Sequence, residues 1–135
     1  MIMLRRASLA AFVLLLIQYA LGMYVNLYVT VPAADHGQSV GKVISEGPGA
    51  LSVHAVIGLL LVLDAIWLVV LASRTRRWGV VTADAVGLVA ILGAAFAGAS
   101  FASQSSNGAS MGMALLAGVA ILSYGVSLYL LPRKG

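Results

Sequence analysis

Few side chains in this 135-residue chain could do chemistry, and their spacing is informative. His54 stands in a long apolar run, with Gly58 four residues later on the same helical face. Asp64 follows in that run, and Asp84 lies in the next one. Gln18, Gly22 and Asn26 recur every four residues and so share one face of an earlier apolar run. Ionisable groups inside apolar sequence are costly unless paired, and they mark ion pathways, proton relays and cofactor ligands.

Each group admits a specific and a plain reading. A neutral imidazole near the end of a membrane helix, with a glycine one turn deeper, is an arrangement suited to haem: the nitrogen ligates iron and the missing side chain admits the porphyrin edge. The plain alternative is a hydrogen-bonded packing histidine. His36, between Asp35 and Gly37, is the only other histidine, and reads as a solvated loop residue or a second metal contact. Asp64 and Asp84 could form a proton or ion site, with one carboxyl keeping its proton if the two approach each other in low dielectric. Alternatively each is a neutral acid bonded to a carbonyl or hydroxyl, or is paired with an arginine of the 74–77 cluster. A Ser-His-Asp hydrolytic grouping is not supported, because His54 and the aspartates fall at different depths. No phosphate-binding or nucleic-acid motif is evident.

The elements that must position these residues follow from composition. The chain is 61% apolar and 9% charged, with a mean hydropathy of +1.04. Soluble domains carry about 25% charged residues, so this set cannot clothe a water-facing surface. The absence of cysteine excludes a disulfide scaffold and a Cys-based zinc module. Four apolar runs, 7–31, 50–73, 79–102 and 108–131, are each close to the ~20 residues that a bilayer core requires. Backbone pairing in lipid must be satisfied within each segment, and the runs lack the alternation of a barrel wall. The expected fold is all-α: an integral membrane up-down four-helix bundle, in one transmembrane domain over residues 1–135, in contact with lipid.

Basic residues set the orientation. Arg5, Arg6, Arg74, Arg76, Arg77, Arg133 and Lys134 fall on one side of the bundle and only Lys42 on the other. The positive-inside rule then makes both termini cytoplasmic in a multi-pass cell-membrane protein. The net charge of +4 is thus a topology signal and implies no nucleic-acid partner. Arg5-Arg6 followed by apolar residues also fits a signal peptide cleaved near Val31-Pro32-Ala33, but the run is too long for a typical signal core and reads as the first helix. On this topology Asp64 lies ~14 Å and Asp84 ~9 Å from the cytoplasmic ends of their helices, at ~1.5 Å rise per residue.

The outer loop 32–49 is longer than a turn needs. It could act as a lid or carry a short surface helix around Gln38 to Ser45. The third and fourth spans are rich in small residues: Ala90, Ala94, Gly98 and Ala102 form a stripe, and Gly108 and Gly112 a GxxxG pair. Such stripes permit close helix packing within the chain, a homodimer or contact with a partner membrane subunit, or a flat face beside a planar cofactor.

The segment Leu21-Gly22-Met23-Tyr24-Val25-Asn26-Leu27, then Pro32, then His54 near the outer end of the second span, resembles the opening of one half of haem A synthase and, more loosely, other four-helix b-type membrane cytochromes. The resemblance covers about forty residues. It implies haem b as cofactor, with His54 as ligand and Gly22, Asn26 and Gly58 beside it. The fourth span carries no histidine, Leu51 stands where that family's first half tends to have glutamate, and loop cysteines are absent. Haem A synthesis is therefore not expected. What remains is one histidine ligand, with the sixth position open or taken by Met23, Met111, Met113 or a second copy's His54.

Three functions follow as expectations. The first is a non-catalytic accessory or interaction subunit of a membrane complex. The second is a b-type haem protein using His54 for electron transfer or haem handling. The third is a proton- or ion-coupled carrier using Asp64 and Asp84.

Overall fold

A computed structural model of the chain describes residues 2–29, 39–104 and 107–132. His36, Asp35, Pro32, Arg133 and Lys134 lie outside the described residues. The elements in order are α1 (Ile2–Tyr28), α2 (Val40–Glu46), α3 (Gly49–Ser73), α4 (Trp78–Gln104) and α5 (Asn107–Leu130). All but α2 are long and apolar enough to cross a membrane, as expected for a multi-pass membrane protein.

The helix limits lie within a few residues of those expected, and the largest difference is at α1, which begins at Ile2 rather than Ala7. Arg5 and Arg6 do not stop the helix, because arginine is a good helix former and its long stem lies along apolar surface. Leu4 and Ser8 are buried in the same face as Ala11 and Leu15, and the Arg5 guanidinium donates to the Pro132 carbonyl at 3.0 Å. The first turns of α1 therefore belong to the bundle.

The four long helices form a ring in which α1 touches α3 and α5, and α4 touches α3 and α5. The α4–α5 pair is the most closely packed. Sequence neighbours run antiparallel, and side-chain contacts set their register. On α1 and α3, Gly22 lies opposite His54 and Gln18 opposite Gly58. Between α1 and α5, Asn26 meets Ser110, Gly125 meets Phe12, and Arg5 meets Pro132. The α3–α4 turn has Arg76 at φ 56, the left-handed region that reverses the chain in few residues. Thr75 caps the end of α3 by donating its hydroxyl to the Ala72 carbonyl at 2.7 Å.

Small residues explain the α4–α5 fit. A Cβ on Gly79, Gly87, Gly93 or Gly98 would meet Leu130, Tyr124, Leu116 or Met113, at 3.2, 2.7, 3.0 and 3.2 Å respectively. Absent side chains on one helix thus receive large ones from the other, the packing that lipid-embedded helices favour. Gly112 of the expected GxxxG pair receives no side chain in this contact, since a Cβ there would meet nothing within 4 Å.

Two apolar clusters fill the ring. The larger, at the end carrying the termini, runs from Leu4, Ala72, Val80 and Leu131 up to Leu15, Leu61 and Ile91. The smaller, at the α2 end, is Val25, Leu51 and Ala102. Between the two, packing is interrupted.

The loop expected over 32–49 contains α2, close to the short helix anticipated around Gln38 to Ser45. Ser39 caps it by accepting from the Lys42 amide at 3.4 Å, and the Ser52 hydroxyl of α3 donates to the Ile44 carbonyl at 2.6 Å. That bond ties α2 across the end of the bundle, against α3 and α4.

Candidate functional site

The interruption between the two apolar clusters is a cavity of about 620 Å³ at the α2 end, within the 300–1,000 Å³ typical of small-molecule sites. Leu15, Leu61 and Ile91 form its floor, while Val25, Leu51, Ala102 and Ile44 of α2 close in from above. It exists because α4 and α5 place Ala94, Ala95, Gly98, Ala99, Ala114 and Ala117 where larger side chains would fill the space. Three residues of the expected small-residue stripe, Ala94, Gly98 and Ala102, line this cavity; the fourth, Ala90, is buried in the larger apolar cluster below.

The structure brings His54, Gly58, Gly22, Asn26 and Gln18 to this one cavity. His54 and Gly58 come from α3, and the other three from the four-residue repeat of α1. The fit between these helices is reciprocal. A Cβ on Gly22 would stand 2.9 Å from His54 Cε1, and one on Gly58 would stand 3.2 Å from Gln18 Nε2. Each glycine therefore makes room for the polar side chain of the opposite helix. Gly58 lines the cavity, and the space beside its Cα holds the Gln18 amide.

Gln18 anchors the pair. Its amide nitrogen donates to the His54 carbonyl at 2.8 Å and stands 3.5 Å from His54 Nε2. The carbonyl of residue 54 already serves the helix, so this second bond uses its remaining lone pair and locks Gln18 in place. Two buried polar atoms are left without partners, His54 Nδ1 and Gln18 Oε1. Buried polar atoms are paired in most structures; these two belong to cavity-lining residues but have almost no accessible surface, so a ligand's polar group would reach them through a small shift of the side chains. If Nδ1 carries the proton it donates to a ligand oxygen. If it does not, its lone pair can bind a metal.

Asn26 stands one further turn toward the α2 end, where its Oδ1 accepts from the Ser110 hydroxyl at 2.8 Å. This bond joins α1 to α5 beside the cavity mouth. Met23, Met111 and Met113 also line the cavity, so each methionine considered as an iron ligand lies in the same chamber as His54. The donor types, one imidazole and several thioethers, fit haem iron. Gly22 and Gly58, however, are occupied by protein side chains, so a porphyrin would have to lie against the alanine-rich surfaces of α4 and α5.

Asp64 and Asp84 stand away from this cavity, toward the end carrying the termini. Asp84 is fully buried and Asp64 partly so. Tyr124 of α5 lies within electrostatic reach of both. The pairing with an arginine of the 74–77 cluster does not occur at Asp84, whose two oxygens have no hydrogen-bond partner. Three further buried hydroxyls without partners, those of Ser8, Tyr124 and Ser127, share this part of the bundle. Nothing in the sequence singles out Ser8 or Ser127, although Ser8 follows the Leu4–Ala11–Leu15 face and Ser127 lies one turn after Tyr124. Ser123 of α5 donates to the Val119 carbonyl of its own helix at 2.8 Å.

Among the described residues no group of three or more His, Cys, Asp or Glu could hold a metal ion. Compared with family models, with curated proteins and with solved structures, the chain matches none of them.

Proposed function

We propose that this chain is a binding protein of the cell membrane, with both termini cytoplasmic, that holds one lipophilic cofactor in the cavity between α1, α3, α4 and α5. With the orientation that the basic residues direct, the cavity lies in the outer half of the bilayer. The observation that carries the reading is the pair of buried unpartnered atoms, His54 Nδ1 and Gln18 Oε1, at the edge of an apolar chamber of about 620 Å³. An apolar chamber with a few convergent polar groups selects a lipophilic body with a polar head. Such a protein works by holding and presenting its ligand, which suits an accessory subunit of a membrane complex and requires no catalytic residue.

Haem b is the specific cofactor favoured by a further observation: His54, Met23, Met111 and Met113 all line the chamber, together with the small-residue surface of α4. His54 would hold the iron, with Met23, Met111 and Met113 as the other candidate ligands and Ala94, Gly98 and Ala102 leaving room for the group. When bound, the haem would supply one-electron chemistry. The protein would exclude water, and Gln18 and Gly22 would hold the His54 side chain in place.

The test is titration of the purified, full-length protein in nanodiscs with haemin, followed by a visible spectrum. One equivalent should saturate a Soret band that is lost in His54→Ala. Absence of a saturable band removes the haem reading. Solvent extraction and mass spectrometry of the protein as purified then decide the broader one: a stoichiometric lipophilic molecule, displaced in Ala114→Phe, supports it, and recovery of bulk phospholipid alone overturns it.

A further inference from the structure

A second set of orphaned polar atoms lies at the opposite end of the bundle from the cavity. Ser8 on α1, Asp84 on α4, and Tyr124 and Ser127 on α5 are each 0% exposed, and their side-chain oxygens have no hydrogen-bond partner. The helix register sets them at one level of the bundle. Arg5 meets Pro132 and Phe12 meets Gly125, so Ser8 is level with the turn that contains Ser127. Gly79 meets Leu130 and Gly87 meets Tyr124, so Asp84 is level with the same turn. The Ser127 hydroxyl faces the Asp84 carboxylate. The Tyr124 ring lies across Gly87, one turn along α4 from Asp84, and the tyrosine is within electrostatic reach of both Asp84 and Asp64 of α3.

The composition of this layer is specific. Every unsatisfied side-chain atom in it is an oxygen, and Asp84 supplies its fully buried carboxyl group. Leu68, Ala72 and Val80 pack around it, fully or almost fully buried. A buried charge in such surroundings is costly unless it is paired. Hard cations are the partners that oxygen-only ligand sets select, and a single carboxylate balances a single positive charge.

We propose that Asp84, Ser8, Ser127 and Tyr124 bind one sodium ion between α1, α4 and α5. Asp84 neutralises the ion, while the two serines and the tyrosine contribute neutral oxygens from α1 and α5. Asp64 of α3 is only partly buried and lies within electrostatic reach of Tyr124. The ion ties three helices together, so its binding stabilises the bundle by mass action.

The experiment uses the full-length protein purified in sodium-free choline chloride and titrated with sodium at constant ionic strength. Equilibrium binding of radioactive sodium and thermal unfolding are followed in parallel. One ion per chain and a saturable rise in unfolding temperature are expected. Asp84→Asn should weaken affinity by at least about ten-fold, and Ser127→Ala and Ser8→Ala by several-fold. Glu46→Gln, on exposed α2, should leave binding unchanged. Binding that is absent, or undiminished in Asp84→Asn, overturns the proposal. Should Asp84→Asn fail to fold, the wild-type protein decides through its infrared spectrum: a protonated-carboxyl band that persists at saturating sodium identifies a neutral acid and overturns the site, whereas its disappearance with the binding isotherm supports it.

Discussion

The imidazole of His54 occupies the space that a side chain on Gly22 would fill: Cε1 lies 2.9 Å from the ideal Cβ position. No real Cβ tolerates that separation, so the close approach of α1 to α3 depends on glycine at position 22. Gly22→Ala should therefore push the ring away or separate the helices. Overpacking of this kind costs about 1–3 kcal/mol. The expected outcome is a lower unfolding temperature and weaker cofactor binding, measured by thermal unfolding and ligand titration. An unchanged unfolding temperature would mean that the ring is not seated there.

A sharper contrast is available on the other side of the bundle. Gly87 receives the Tyr124 ring at 2.7 Å, while Gly112 faces open space. Gly87→Ala should destabilise by about 1–3 kcal/mol, whereas Gly112→Ala should be neutral or stabilising by up to about 1 kcal/mol through helix propensity. Unfolding of the two variants side by side tests the α4–α5 interface directly. Equal effects would show that Tyr124 does not rest on Gly87.

The hydrogen bond between Ser110 and Asn26, at 2.8 Å, is an interhelical link that a double-mutant cycle can isolate. Asn26→Ala, Ser110→Ala and the double variant should give a coupling energy of about 0.6 kcal/mol, the average for such bonds in membrane proteins. A coupling energy of zero would place the two side chains apart.

Loss of the Gln18 amide should be costlier. Gln18→Leu keeps the volume but removes the donor to the His54 carbonyl and leaves a branched side chain against Gly58. Destabilisation of about 1 kcal/mol is expected from the hydrogen bond alone, with reorientation of His54 visible as a changed ligand affinity. Retention of both stability and affinity would remove Gln18 from the site.

Orientation is open to a clean test, because the chain contains no cysteine. Single variants Lys42→Cys and Arg76→Cys, expressed in intact cells, are treated with a membrane-impermeant maleimide. Lys42→Cys should label directly and Arg76→Cys only after permeabilisation. The reverse pattern would invert the topology and move the cavity to the cytoplasmic half.

Much of the fold was legible in the sequence. Four apolar runs separated by polar turns admit few arrangements in lipid, since every backbone amide must be bonded within its own segment. The candidate polar residues were legible too, because an ionisable or amide side chain in an apolar run is conspicuous. The shared face of Gln18, Gly22 and Asn26 follows from the helical repeat alone, and the structure places all three at one cavity.

What each glycine accommodates was decided only by the tertiary structure. Sequence spacing relates residues on one helix, whereas the partner of Gly58 is Gln18, forty residues away, and the partner of Gly22 is His54. Likewise, Ser8, Asp84 and Ser127 come from three helices, and no period along the chain links them. Periodicity determines which face a residue occupies on its own helix. The register between helices, set by which large side chain enters which gap, determines the residues that meet, and here it divides the polar groups into a chamber around His54 and an oxygen-lined layer around Asp84.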